Sequence, residues 1–304
     1  MKKAVLFATV LLMICCICTS CKEKSGFTYE KVDGGISITG YTGEGENVVI
    51  PEKIDNKTVV SISRSAFEAK KIVSIYIPDS VKEIQRYAFR RCINLTQVKL
   101  PQGIKEIQSG VFNFCTALQT IEIPDSVEYI GENSFGGTSI SEVILPDSVK
   151  TIDDYAYCNC VYLEKFTCGK DLSKLGLSAF ASCISLSDIT FNEGLTEIGE
   201  NCFDACSSLK QIDLPLNLEK ISINAFKHTS LVNVTIPLKV KIIDSMAFEG
   251  CVSLRDIYIP ETVEKINIDA FKGCKGVVIH GVQDSQAEIY ADENGFKFEK
   301  YEFN

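Results

Sequence analysis

The chain has 304 residues, 45% of them hydrophobic, with 14 cysteines, no tryptophan and a net charge of −9 at pH 7. That is enough apolar chain for a continuous core, and the acidic balance argues against a nucleic-acid partner, which needs a basic footprint. The two histidines, His228 and His280, have no cysteine, serine or carboxylate partner at a catalytic spacing, so neither is expected to be catalytic.

In chain order, residues 1–21 read as an address. Lys2-Lys3 precede an apolar run from Ala4 to Ile17 that is too short to span a bilayer as a helix. Cys18-Thr19-Ser20-Cys21 follows, and small residues before a cysteine resemble the bacterial lipobox, which makes Cys21 the expected lipidation site. Cys18 stands where that motif prefers leucine. The alternative is an ordinary signal peptide cleaved nearby. Residues 22–26 form a short tether in which Glu23 faintly resembles an acidic surface-export signal.

Residues 27–66 read as an N-terminal cap. Tyr29, Ile36, Ile38 and Tyr41 alternate around Gly34-Gly35, which predicts a hairpin. Val48–Pro51 is a first strand.

From residue 67 to 281 one motif repeats. An aromatic recurs at Phe67, Phe89, Phe112, Phe135, Tyr157, Phe180, Phe203, Phe226, Phe248 and Phe271, always after 22 or 23 residues. A period that short marks a solenoid, whose coils cannot bury their apolar side alone. Each coil opens on a strand such as Leu95-x-x-Val98-x-Leu100. Apolar residues two apart point inward there and the residue between them faces solvent. Proline closes the strand at Pro78, Pro101, Pro124, Pro146, Pro215, Pro237 and Pro260, because it has no N–H for a ladder. The rest of the coil predicts a short second strand near Val81–Ile84, then about one helical turn around the Ala-Phe pair. Three residues after most aromatics comes Cys92, Cys115, Cys160, Cys183, Cys206, Cys251 or Cys274. Where Lys70, Thr138 or Thr229 replaces it, the coil is one residue shorter.

Residues 282–304 form the C-terminal cap, with a helix over 285–294, Asn294-Gly295 as its stop signal, and a last strand from Phe296. Such caps cover the open strand edge of a solenoid.

The run Ile75-x-Ile77-Pro78-Asp79-Ser80-Val81-Lys82-Glu83-Ile84, then Ala88-Phe89, Cys92 and Leu95, resembles the BspA-like, Treponema-type leucine-rich repeats of bacterial surface proteins. The resemblance spans residues 27–304. It implies a leucine-rich repeat solenoid of about ten coils with a parallel β-sheet, on a surface or adhesion module with no assigned ligand.

Stacked coils lie about 4.8 Å apart, wider than the ~3.8 Å Cβ separation a disulfide prefers, so the ladder cysteines are expected to be buried, reduced thiols. Cys168 should replace an inward strand leucine and Cys202 a buried alanine. Cys158 has charged or polar equivalents in other coils and is expected at the surface, as a reactive thiol or a neutral substitution. Cys158-x-Cys160 and Cys202-x3-Cys206 are not zinc spacings, so no metal, and no cofactor, is expected.

The solvent-facing strand centres form one row: Tyr76, Lys99, Glu122, Ile144, Thr167, Thr190, Asp213, Thr235 and Tyr258. A rigid sheet face of this kind suits a protein or an extended polymer such as a glycan. The reading favoured is a monomeric, lipid-anchored binding protein outside the cell, touching the membrane only through its anchor. The alternative is a periplasmic scaffold of an envelope complex; an enzyme is not expected.

Overall fold

A computed structural model of the chain describes residues 26–303. The expected leader, the lipidation at Cys21 and residues 22–25 of the tether lie outside the described residues.

The chain opens on an antiparallel hairpin, Phe27–Val32 against Gly35–Tyr41, turning at Gly34 with φ +83°. A second, unanticipated hairpin joins Lys53–Ile54 to Lys57–Ile62 through Asp55 and Asn56, both left-handed. Its longer strand lies parallel to Gly35–Tyr41 and to Glu83–Ile84, so the N-terminal cap feeds directly into the first coils.

A three-sided coil then repeats. A three- or four-residue strand such as Ser74–Tyr76 or Gln97–Lys99 pairs in parallel with the same segment of its neighbours. Two residues beyond the first of these, Pro78 starts a turn, its carbonyl accepting from Val81 N–H at 3.0 Å. The second strand is two residues long, as at Glu83–Ile84, Glu106–Ile107 and Tyr129–Ile130, and forms its own parallel ladder.

The third side of the coil departs from the expected helical turn. Tyr87 and Arg91 are left-handed, with φ of 62° and 58°, on either side of Ala88-Phe89-Arg90. Backbone N–H groups then alternate in direction. Tyr87, Phe89 and Arg91 donate to Ser109, Val111 and Asn113 of the next coil at 3.0, 3.0 and 2.8 Å. Ala88, Arg90 and Cys92 donate within the coil to Gln85, Tyr87 and Phe89. A helix would keep every N–H inside its own segment and leave neighbouring coils unconnected. Left-handed residues prevent it, since non-glycine residues adopt that conformation singly and never as a helix.

The core is one continuous strip. The ladder aromatics stack face to face, from Phe67–Phe89 at 5.1 Å through Tyr157–Phe180 at 5.4 Å to Phe248–Phe271 at 5.3 Å. Tyr41 extends the stack at the N-terminal end, 5.8 Å from Phe67. Tyr290 and Phe296 close the other end edge-on to Phe271, at 66° and 75°. Tyr290 comes from the helix Gln286–Asn294, which stops at left-handed Gly295, whose N–H bonds the Ala291 carbonyl. The strand Lys297–Lys300 follows.

The seven ladder cysteines are buried and unpaired by disulfides. Each thiol lies 3.0–3.2 Å from the carbonyl oxygen of the preceding coil's aromatic, as in Cys92 to Phe67 and Cys183 to Tyr157. Cys202 is buried too, whereas Cys168 is only half-buried.

Candidate ligand-binding face

Strand alternation turns the centre of each three-residue first-side strand inward, as at Ile75, Val98 and Val143, so the expected row residues are not strand centres but the outward residues that follow them. Tyr76 is in register with Val49 and Lys99, Ile144 with Thr167 and Thr190, and Thr235 with Tyr258. Glu122, Ile144, Thr190, Asp213 and Thr235 are exposed; Tyr76, Lys99, Thr167 and Tyr258 are half-buried. Ile144, 62% exposed, is the most accessible aliphatic of the row.

The row is not one unbroken sheet. Glu122 and Asp213 sit in coils that form no first-side strand, so the face divides into three parallel sheets. Both gaps carry a carboxylate at the row position, and Asp and Glu are poor strand formers. Each gap also falls in the coil just before a 22-residue step, at Thr138 and Thr229.

At its C-terminal end the face continues past Tyr258. His280 and Glu299 occupy the next two positions of the same register. The His280 imidazole stacks on the Tyr258 ring at 4.5 Å, and Tyr301 meets Tyr258 edge-on at 4.9 Å. His280 Nε2 lies 2.7 Å from Asp256 Oδ1, and Nδ1 lies 3.8 Å from Glu299 Oε2. A carboxylate only accepts, so Nε2 carries the proton in that bond. The Lys297 ammonium beside Glu299, helped by His280, holds that carboxyl below its usual range. The expectation that neither histidine has a carboxylate partner is therefore corrected: His228 Nδ1 also lies 3.5 Å from Asp204. Coil stacking creates both meetings between residues 24 apart, through the strand register at His280 and through the turn after the ladder aromatic at His228. The signal was available, because His280 follows Tyr258 by one 22-residue step.

Cys158, expected at the surface, is half-buried, and burial pushes its thiol pKa up. Asn159 Nδ2 approaches its sulfur at 3.2 Å. It is therefore a poorer nucleophile than a free surface cysteine.

A shallow groove along one flank is lined by Glu164, Ser185, Ser187, Ser208, Lys210 and Gln211. It carries three serine hydroxyls beside one carboxylate and one ammonium group. Among the described residues no group of three or more His, Cys, Asp or Glu side chains could hold a metal ion. No helix among them is long and apolar enough to cross a membrane.

A parallel solenoid with an ordered, open side-chain face defines a repeat protein of the binding class. The chain belongs to the BspA-type leucine-rich repeat family, whose model matches residues 44–164 and 150–278, in six copies. A leucine-rich repeat protein from Bacteroides ovatus is 28% identical, with a TM-score of 0.76 over 84% of this chain and 70% of that one. The pneumococcal vaccine antigen PcpA, 16% identical with a TM-score of 0.53 over 93% of this chain and 99% of that one, shares the fold. So does a leucine-rich repeat protein from Eubacterium ventriosum, at 18%, 0.50, and 81% and 80% coverage. None of the curated proteins compared is similar to the chain.

Proposed function

We propose that this protein is exported, lipid-anchored through Cys21, and binds a protein ligand outside the cell through the outer strand row. The observation that supports this most is the row itself: side chains in fixed register on a rigid parallel sheet, ending in the Tyr258–His280–Tyr301 cluster. Exposed aromatic and aliphatic anchors on such a face contribute most of the binding energy in protein interfaces. Exposed Ile144 and half-buried Tyr76 and Tyr258 are the anchors, and Lys99, Glu122, Thr167, Thr190, Asp213 and Thr235 supply the polar surround. Membership of a leucine-rich repeat family favours a binding scaffold over an enzyme.

The test is protease accessibility on intact cells, comparing the native chain with Cys21→Ala. Digestion of the native chain and loss of surface display in the variant support the reading. Protection until the outer envelope is opened replaces it with a periplasmic scaffold. Once a ligand is in hand, Ile144→Ala and Tyr258→Ala should each weaken it by about tenfold or more.

A further inference from the structure

Four of the five arginines in this acidic chain, Arg64, Arg86, Arg90 and Arg91, fall in the first two coils, around one tyrosine. Arg64 Cζ lies 5.4 Å and Arg90 Cζ 5.3 Å from the Tyr87 ring centroid. The ring has a built seat. Tyr87 is left-handed, and it leans over Gly110 of the next coil, where a Cβ would meet Tyr87 Cδ1 at 2.3 Å. Arg86 directly precedes Tyr87 and Arg91 directly follows Arg90; both are exposed.

Three of these four guanidinium groups lack a counter-charge. Within 4 Å, the ion pairs among the described residues include only Glu68 for Arg90, at 3.7 Å, and none for Arg64, Arg86 or Arg91. Arg90 Nε is buried without a hydrogen-bond partner. On the same side of the solenoid the sign then reverses: the positions equivalent to Arg64 and Arg86 hold Glu132, Asp154 and Glu200 in later coils.

We propose that Arg64 and Arg90 on Tyr87, with the adjoining exposed Arg86 and Arg91, form a binding site for the sulfate or carboxylate groups of an acidic polysaccharide. Guanidinium groups present planar forks that match such oxyanions in pairs, and stacking on an aromatic ring orders them before binding. The basic surface is two coils wide, about 10 Å at the spacing of stacked strands. A flexible polysaccharide can engage two coils and turn away from the acidic ones. A flat anionic bilayer or a stiff duplex would meet Glu132 and Asp154 as well and be repelled. The cluster lies on the Ala-Phe side of the coil, away from the outer strand row, so its test is independent of that face.

The experiment measures binding of the full chain to a sulfated dextran at several salt concentrations, for the native protein, R86A/R91A and R86K/R91K. Both positions are exposed, so folding is checked simply by melting. The expected result is salt-sensitive binding that falls about tenfold or more in R86A/R91A. The lysine variant should recover it only in part, because it restores charge without the fork. Equal binding by R86A/R91A overturns the proposal. So does tighter binding to vesicles containing an anionic phospholipid than to the dextran. Sedimentation that shows self-association lost in R86A/R91A assigns the cluster to a second copy's acidic flank and also overturns it.

Discussion

The Cys183 thiol donates to the Tyr157 carbonyl oxygen across one coil boundary, at 3.2 Å. That carbonyl also accepts the Cys160 N–H at 3.2 Å. The same fork recurs along the ladder, so each cysteine is both core filler and the donor that ties its coil to the one before. The longer coils supply this bond. In two of the three shorter ones a threonine takes the place, Thr138 and Thr229 each lying against the next thiol, Cys160 and Cys251.

This arrangement makes stability sensitive to alkali. Burial pushes Cys92 and Cys168 up to about 12 and Cys160 to about 11, from an ordinary 9.0. The folded state thus holds protons that the unfolded chain releases. The stabilising difference is complete below pH 9 and is lost as pH rises towards 11–12. Denaturant midpoints should fall steeply above pH 9, and less steeply in Cys92→Ala. A flat profile to pH 11 in the native chain would show that the thiols titrate normally.

Tyr157 is the one tyrosine among ten ladder positions, and its buried hydroxyl has no hydrogen-bond partner. Burial raises its phenol well above the ordinary range. Tyr157→Phe removes an unpaired polar group while keeping the stack at 5.1 and 5.4 Å. It should stabilise the protein by about 1–2 kcal/mol. A lower melting temperature for the phenylalanine variant would contradict the unpaired hydroxyl.

Gly110 allows Tyr87 to lie across it. Gly110→Ala introduces both a left-handed alanine and a clash with the ring, and should cost about 1–3 kcal/mol. Part of that cost should disappear in the double variant with Tyr87→Ser, a residue found at the equivalent positions 65 and 178. Strict additivity in the double-mutant cycle would mean that the two do not touch.

Asp256 is the acceptor for a nearly buried imidazole. Asp256→Ala leaves His280 Nε2 without its partner on a strand that carries the C-terminal cap. The loss should be about 1–3 kcal/mol, and hydrogen exchange should rise first in the strand Lys297–Lys300. Protection unchanged in that strand would separate the cluster from cap docking.

How much of this was visible in the residues depends on whether a feature repeats. The apolar strand pattern and the aromatic recur in every coil, and proline in most, so register and core follow from spacing alone. The turn around Ala88-Phe89 did not, because Val81, Ile84, Ala88 and Phe89 share the spacing of a helix. The left-handed positions at Tyr87 and Arg91 accept residue types that give no common signal. The gaps at Glu122 and Asp213 depend on interactions between coils. His280 falls outside the expected row because that row ends at Tyr258, whereas the strand register runs on through His280 to Glu299. The arginine cluster was hidden by summing charge over the chain, when the coil geometry sorts it by side.

The hydrogen bonds that join one coil to the next, at Tyr87, Phe89 and Arg91 and their equivalents, run along the long axis of the molecule. A pull on that axis therefore loads every boundary in series with the same force, and the weakest gives way first. Each coil of 22 or 23 residues releases roughly 75 Å of contour when it opens. Stretched between two attachment points, such a rod yields in equal steps under tension and lengthens severalfold before its last coil gives way.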